Sequence, residues 1–157
     1  MEALVFGQRV IEDRANFLPT LIGLINATGV PYGVVGGAAV NAYVEPLISL
    51  DLDLVMDRLA VDALLVPSFR THATPESVRV SAEGSRLRVH ILDRSTVHPA
   101  TRRNLLGFRL PVATPDDLVR GLTWSAGRDD RLHLQRILES FPPLRPLVPA
   151  EILARFA

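Results

Sequence analysis

Pro31-Tyr32-Gly33-Val34-Val35-Gly36-Gly37-Ala38-Ala39-Val40-Asn41-Ala42-Tyr43-Val44, followed after Glu45-Pro46-Leu47-Ile48-Ser49 by Leu50-Asp51-Leu52-Asp53-Leu54-Val55-Met56, is the stretch on which the fold turns. The apolar, partly β-branched run Tyr32 to Val35 behind a proline has the character of a buried strand. Gly36-Gly37 ends it, because two glycines permit positive φ and close approach of another backbone or a ligand. The small residues Ala38 to Val44 suit a helix leaving that turn, and a helix start leaves backbone N–H groups free to receive phosphate. Leu50 to Leu54 then alternates, so in a strand Asp51 and Asp53 share one face while Leu50, Leu52 and Leu54 face the core.

Two ionised carboxylates two residues apart on a strand repel by about 3 kcal/mol at an effective dielectric near 20. A divalent cation removes that repulsion. Mg²⁺ is suited to the position because it favours one or two carboxylates together with phosphate oxygens and water.

Val35-Gly36-Gly37, a short helix, Ser49 and then Asp51-Leu52-Asp53-Leu54 resemble the signature of the nucleotidyltransferase superfamily that includes polymerase beta. The small bacterial members related to abortive-infection and toxin–antitoxin nucleotidyltransferases are the more similar branch. The resemblance implies an α/β (α+β) fold, a mixed twisted sheet flanked by helices. It further implies Mg²⁺ on Asp51 and Asp53 and a nucleoside triphosphate at Gly36, Gly37 and Ser49. The acceptor would be an RNA or protein hydroxyl, and a cognate antitoxin a partner.

Working outward, Leu21-Ile22 and Leu24-Ile25 form a helical apolar face, with Phe17-Leu18-Pro19 as an interruption before it and Gly29 with Pro31 as its end. Residues 1 to 16 are weakly patterned and read as a lead-in or a short helix around Val10 to Arg14. Asp57 opens a helix that runs to Pro67, and short strands are expected around Phe69 to His72 and Ser77 to Ser81. Arg86 to Asp93 alternates, with Arg86, Arg88 and His90 on a polar face and Leu87, Val89 and Ile91 on an apolar one.

Superfamily members usually place a third carboxylate on such a strand, within a hydrophobic-acid-hydrophobic triplet. Here the triplet is Val89-His90-Ile91, so a histidine stands where the acid belongs. His90, with an ordinary pKa of about 6.5, can serve as a general base. Asp93 falls on the opposite face and substitutes only if the strand bulges or ends before it. A second departure lies in the helix opened by Thr114-Pro115-Asp116-Asp117-Leu118, where Leu122 occupies the family's lysine position with Arg120 nearby. These departures keep a second reading open, a catalytically inactive binding or regulatory domain on the same fold.

At 157 residues and 48% hydrophobic, the chain suffices for one domain with a substantial core. The expected layout is a nucleotidyltransferase-like domain over 1–140 and a proline-spaced tail with a short helix over 141–157. No cysteine is present, which excludes disulfides and thiolate metal sites, and His72, His90, His98 and His133 have no zinc spacing. Formal net charge is zero, and all 17 basic residues are arginine, so any phosphate contact by a cationic side chain must be a guanidinium. Six of these, Arg86, Arg88, Arg94, Arg102, Arg103 and Arg109, lie near the single acid Asp93, a local excess that suits a triphosphate, RNA or an acidic partner. No apolar run reaches membrane-spanning length and no signal peptide is apparent, so no membrane association and a cytoplasmic location are expected.

Overall fold

The computed structural model describes residues 3–6, 9–12, 17–47, 50–57, 61, 64, 66–67, 69–93, 100–125 and 128–156. Seven strands form one mixed sheet in the order β5-β6-β7-β4-β3-β9-β8. They are β3 (Tyr32–Val35), β4 (Asp51–Met56), β5 (Arg70–Ala73), β6 (Ser77–Ser81), β7 (Arg88–Asp93), β8 (Ala100–Leu105) and β9 (Phe108–Ala113). The pairs β4 with β7 and β3 with β9 are parallel, and the others antiparallel. Two further strands, β1 (Ala3–Phe6) and β2 (Arg9–Glu12), form a separate antiparallel pair.

The helices are α1 (Phe17–Thr28), α2 (Gly36–Val40), α3 (Pro115–Ser125), α4 (Arg128–Ser140) and α5 (Ala150–Leu153). Leu52, Leu54 and Met56 on β4 and Val89 and Ile91 on β7 are buried beside Phe17, Leu18, Leu21 and Ile25 of α1 in one core. Each such aliphatic side chain contributes roughly 1.5–3 kcal/mol on leaving water. Alternation therefore sets the orientation of β4: with Leu52 and Leu54 buried, Asp51 and Asp53 emerge on the other face.

Three expectations need correction, and one strand was not anticipated. Residues 9–12 are strand rather than helix, since Val10 and Ile11 are β-branched and pair with Leu4 and Val5, a contact that local pattern does not reveal. Pro19 does not interrupt α1, which begins at Phe17. A proline in the first turn removes only an N–H that has no partner within the helix. The helix expected over Ala38 to Val44 includes both glycines and gives way after Val40 to turns closed by Tyr43 N–H to Val40 O. Finally β8, an arginine-bearing edge strand, carries no apolar alternation and is held by its ladder with β9. The helix expected from Asp57 lies largely outside the described residues, although Val61 and Leu64 belong to the core.

After α4, Pro142–Leu147 forms a 3₁₀ helix, and Val148, Ile152 and Leu153 pack on the core. Among the described residues no helix is long and apolar enough to cross a membrane.

Candidate active site

The register of three strands assembles the site. β4 lies between β7 and β3, with Asp51 beside Arg88, Asp53 beside His90 on one side, and Asp53 opposite Val35 on the other. Because side chains of in-register neighbours point the same way, the acids, His90 and Arg88 share a face. The His90 ring faces both carboxylates, with Nε2 3.7 Å from Asp51 Oδ1 and Nδ1 4.0 Å from Asp53 Oδ1. Arg88 Nε sits 3.1 Å from the same Asp51 oxygen.

The side chains of Asp51, Asp53 and His90 are 45%, 36% and 30% exposed, enough for a ligand to reach all three. Asp51 Oδ1 itself is covered, so the exposure of that carboxylate lies on its Oδ2 side.

The diglycine follows directly from β3 and is therefore beside Asp53. Gly36 has φ +71°, and a Cβ placed on it would stand 2.7 Å from Asp53 Oδ2. Glycine is thus required twice over, for the left-handed backbone and for the space the carboxylate fills. Both glycines are half-buried rather than enclosed. Ser49, the remaining predicted site residue, lies outside the described residues.

Asp93 ends β7 in unbroken register with Met56, so no bulge turns it toward the acids. His90, not Asp93, occupies the third position. Leu122, which the sequence resemblance set against a lysine, is buried in the core, and Arg120 lies 3.1 Å from Asp116 and 3.5 Å from Asp117 on its own helix.

Of the arginine-rich segment, Arg88 alone among the described residues is placed at the acids. Arg103 instead stacks 4.5 Å over the Tyr43 ring and donates to Ala42 O, while Tyr43 donates to Ala113 O. Burial raises the Tyr43 pKa, partly offset by its Thr101 hydrogen bond and by Arg103.

Sequence reasoning passed over Asn41. Its carboxamide donates to Leu47 O at 2.8 Å and accepts from Leu47 N–H at 3.0 Å and Arg136 Nη2 at 2.6 Å. It is the one buried polar side chain among the described residues, and it ties the loop leading into β4 to α2 and α4. Asn41→Ala would take one of its acceptors from the half-buried Arg136 guanidinium and loosen that loop, so a loss of about 1–3 kcal/mol is expected in urea denaturation. An asparagine within a small-residue helix gives no signal in sequence, since its partners lie on other elements.

Two carboxylates on one open face, with hard oxygen donors and room for phosphate oxygens, fit a divalent cation of the Mg²⁺ kind. Among the described residues, no group of three or more His, Cys, Asp or Glu side chains has the geometry of a self-contained metal cage.

The fold is similar to that of solved nucleotidyltransferase structures. It superimposes on the solution structure of the antibiotic-resistance factor ANT(2'')-Ia with a TM-score of 0.61 at 12% identity, over 90% of this chain and 94% of that one. The lincomycin-bound lincosamide antibiotic adenylyltransferase LnuA gives 0.52 at 12% identity, over 81% and 96%. An antigenic nucleotidyltransferase-like protein from Paracoccidioides brasiliensis gives 0.53 at 16% identity, over 82% and 75%. No family model and no curated protein sequence matches the chain.

Proposed function

We propose that the chain is a Mg²⁺-dependent nucleotidyltransferase that moves a nucleoside monophosphate from a nucleoside triphosphate to a hydroxyl acceptor. The observation that carries this reading is the joint placement of Asp51, Asp53, His90 and Gly36 on one accessible face. Asp51 and Asp53 would hold the metal, which supplies charge neutralisation on the phosphate oxygens. The Gly36-Gly37 backbone would receive the phosphates, with Ser49 beside them. His90 would take the proton of the attacking hydroxyl as its oxygen bonds to the α-phosphorus and the bond to the β-phosphate oxygen breaks, releasing pyrophosphate. The family's missing third acid is in this way replaced by a base that adds no third negative charge.

An RNA end or a protein hydroxyl is one acceptor class, and an antitoxin partner belongs with it. A small polyhydroxylated molecule is the other. It is favoured by the nearly full-length match to ANT(2'')-Ia, also known in complex with adenylyl-2''-tobramycin, and to LnuA with lincomycin. In either case residues 1–140 would carry the transfer site, the tail over 141–157 would brace α4, and a cytoplasmic location would supply the triphosphate.

Pyrophosphate release with each triphosphate, Mg²⁺ and a panel of RNA, protein, aminoglycoside and lincosamide acceptors tests the reading. Acceptor-dependent release identifies the class. Metal-dependent nucleotide binding with no release under any acceptor would instead support the inactive regulatory domain.

Arg88 provides a further check. Its positive charge beside Asp51 opposes a second cation at the same carboxylate, and an exposed pair of this kind is worth roughly 0.2–1 kcal/mol. Arg88→Gln is therefore expected to tighten Mg²⁺ binding about two- to fivefold in a calorimetric titration at low salt, with the gain shrinking as salt screens the charge.

A further inference from the structure

The transfer chemistry above makes no use of His133, yet α4 carries this imidazole onto the diglycine turn. A Cβ placed on Gly37 would fall into the His133 ring, with Nε2 as its nearest atom. On the preceding residue the equivalent space is filled by Asp53 Oδ2. A histidine and a carboxylate from distant parts of the chain thus flank consecutive residues of one bend.

The other ring nitrogen is fixed by Arg136. Its Nη1 lies 2.9 Å from His133 Nδ1. A guanidinium has donors only, so Nδ1 accepts and the neutral ring carries its proton on Nε2, the nitrogen turned toward Gly37. Arg136 has little freedom to move, since Nη2 also donates to Asn41 Oδ1 at 2.6 Å and Glu45 O at 2.7 Å. Burial lowers the Arg136 pKa, but a guanidinium stays charged at neutral pH. The ring therefore turns its N–H-bearing nitrogen to Gly37, one residue on from the glycine against which Asp53 packs.

We propose that His133 is a substrate-binding residue whose Nε2–H donates to a phosphate oxygen of the nucleotide at Gly36-Gly37, and that Arg136 is the positioning residue that sets its tautomer. This rests on the reading of Asp51 and Asp53 as a metal-triphosphate site. It gives that site a phosphate donor on α4, whereas on α3 Leu122, which the sequence resemblance set against a lysine, is buried and Arg120 is taken up by Asp116 and Asp117. A neutral donor orients the phosphate without competing with the metal for its charge.

The test uses the full chain, nitrogen-15 labelled, with Mg²⁺ and an α,β-methylene triphosphate as the probe. Before the probe is added, imidazole correlations should show His133 with an unprotonated Nδ1 and a protonated Nε2, and Arg136→Met should mix the tautomers. On titration the Nε2 signal should shift along the binding curve. His133→Gln, which keeps an N–H near the position of Nε2, should bind the probe within about threefold of wild type. His133→Phe, which keeps a ring against Gly37 but has no donor, should bind about five- to twentyfold more weakly, as expected for one lost hydrogen bond to a charged group. Thermal melts establish that both variants fold. If His133→Phe binds as tightly as wild type, or the resting tautomer is reversed, this assignment is overturned while the metal-triphosphate reading stands. If the wild-type chain binds no probe, both are overturned together.

Discussion

Asp51→Asn is expected to lower acceptor-dependent pyrophosphate release by about a thousandfold or more while leaving the fold intact. Asparagine has the same shape and preserves the strand, but it removes a full negative charge from the pair that would hold the metal. If the metal contributes several kcal/mol to stabilising the transferring phosphoryl group, a loss near 4 kcal/mol corresponds to that factor. Asp51 is half exposed and lies beside Arg88 at the surface, so stability should change by no more than about 1 kcal/mol. Steady-state release assays with a thermal melt on the same preparation separate the two effects. Activity that survives Asp51→Asn and Asp53→Asn alike would end the transferase reading.

Gly36→Ala should also be damaging, by another route. The backbone at residue 36 has φ +71°, where an L side chain costs about 1–2 kcal/mol. The added methyl would also press on Asp53 Oδ2 at 2.7 Å and turn that carboxylate out of its present position. A loss of about 1–3 kcal/mol in stability is expected, with at least a tenfold fall in kcat because the acid is displaced rather than removed. Gly121→Ala is the matching control. A Cβ there meets nothing within 4 Å, and within α3 alanine should stabilise by about 0.5–1 kcal/mol. Equal behaviour of the two variants would show that the turn does not constrain Asp53.

The two acids were legible because a single strand carries both. A period of two places Asp51 and Asp53 together regardless of what surrounds them, and Leu52 and Leu54 fix which face is inside. His90 was legible as a member of a polar strand face for the same reason. Its position facing both acids was not, since that depends on the parallel register of β4 and β7, two strands far apart in sequence. Arg88 was indistinguishable from five other arginines of its segment until that register placed it beside Asp51.

α4 shows the opposite case. Its existence follows from its apolar spacing and the prolines that end it, but nothing local marks His133 or Arg136 as different from any other polar residue of a surface helix. Their meaning arises from docking: the helix packs on α2 and brings one ring to Gly37 and one guanidinium to Asn41. The strands 9–12 and β8 escaped for a related reason, as each is defined by hydrogen bonds to a partner rather than by its own pattern.

Periodicity and glycine chemistry, which act over a few residues, were enough to specify the strand-turn-helix-strand unit and the shared face of its acids, and the class of fold followed from the resemblance of that unit to nucleotidyltransferases. Which histidine stands between those acids, which arginine pairs with Asp51 and which helix closes on the glycines were set by strand register and helix docking. Those are non-local choices, made by burying apolar faces against one another, and no window of sequence contains both sides of them.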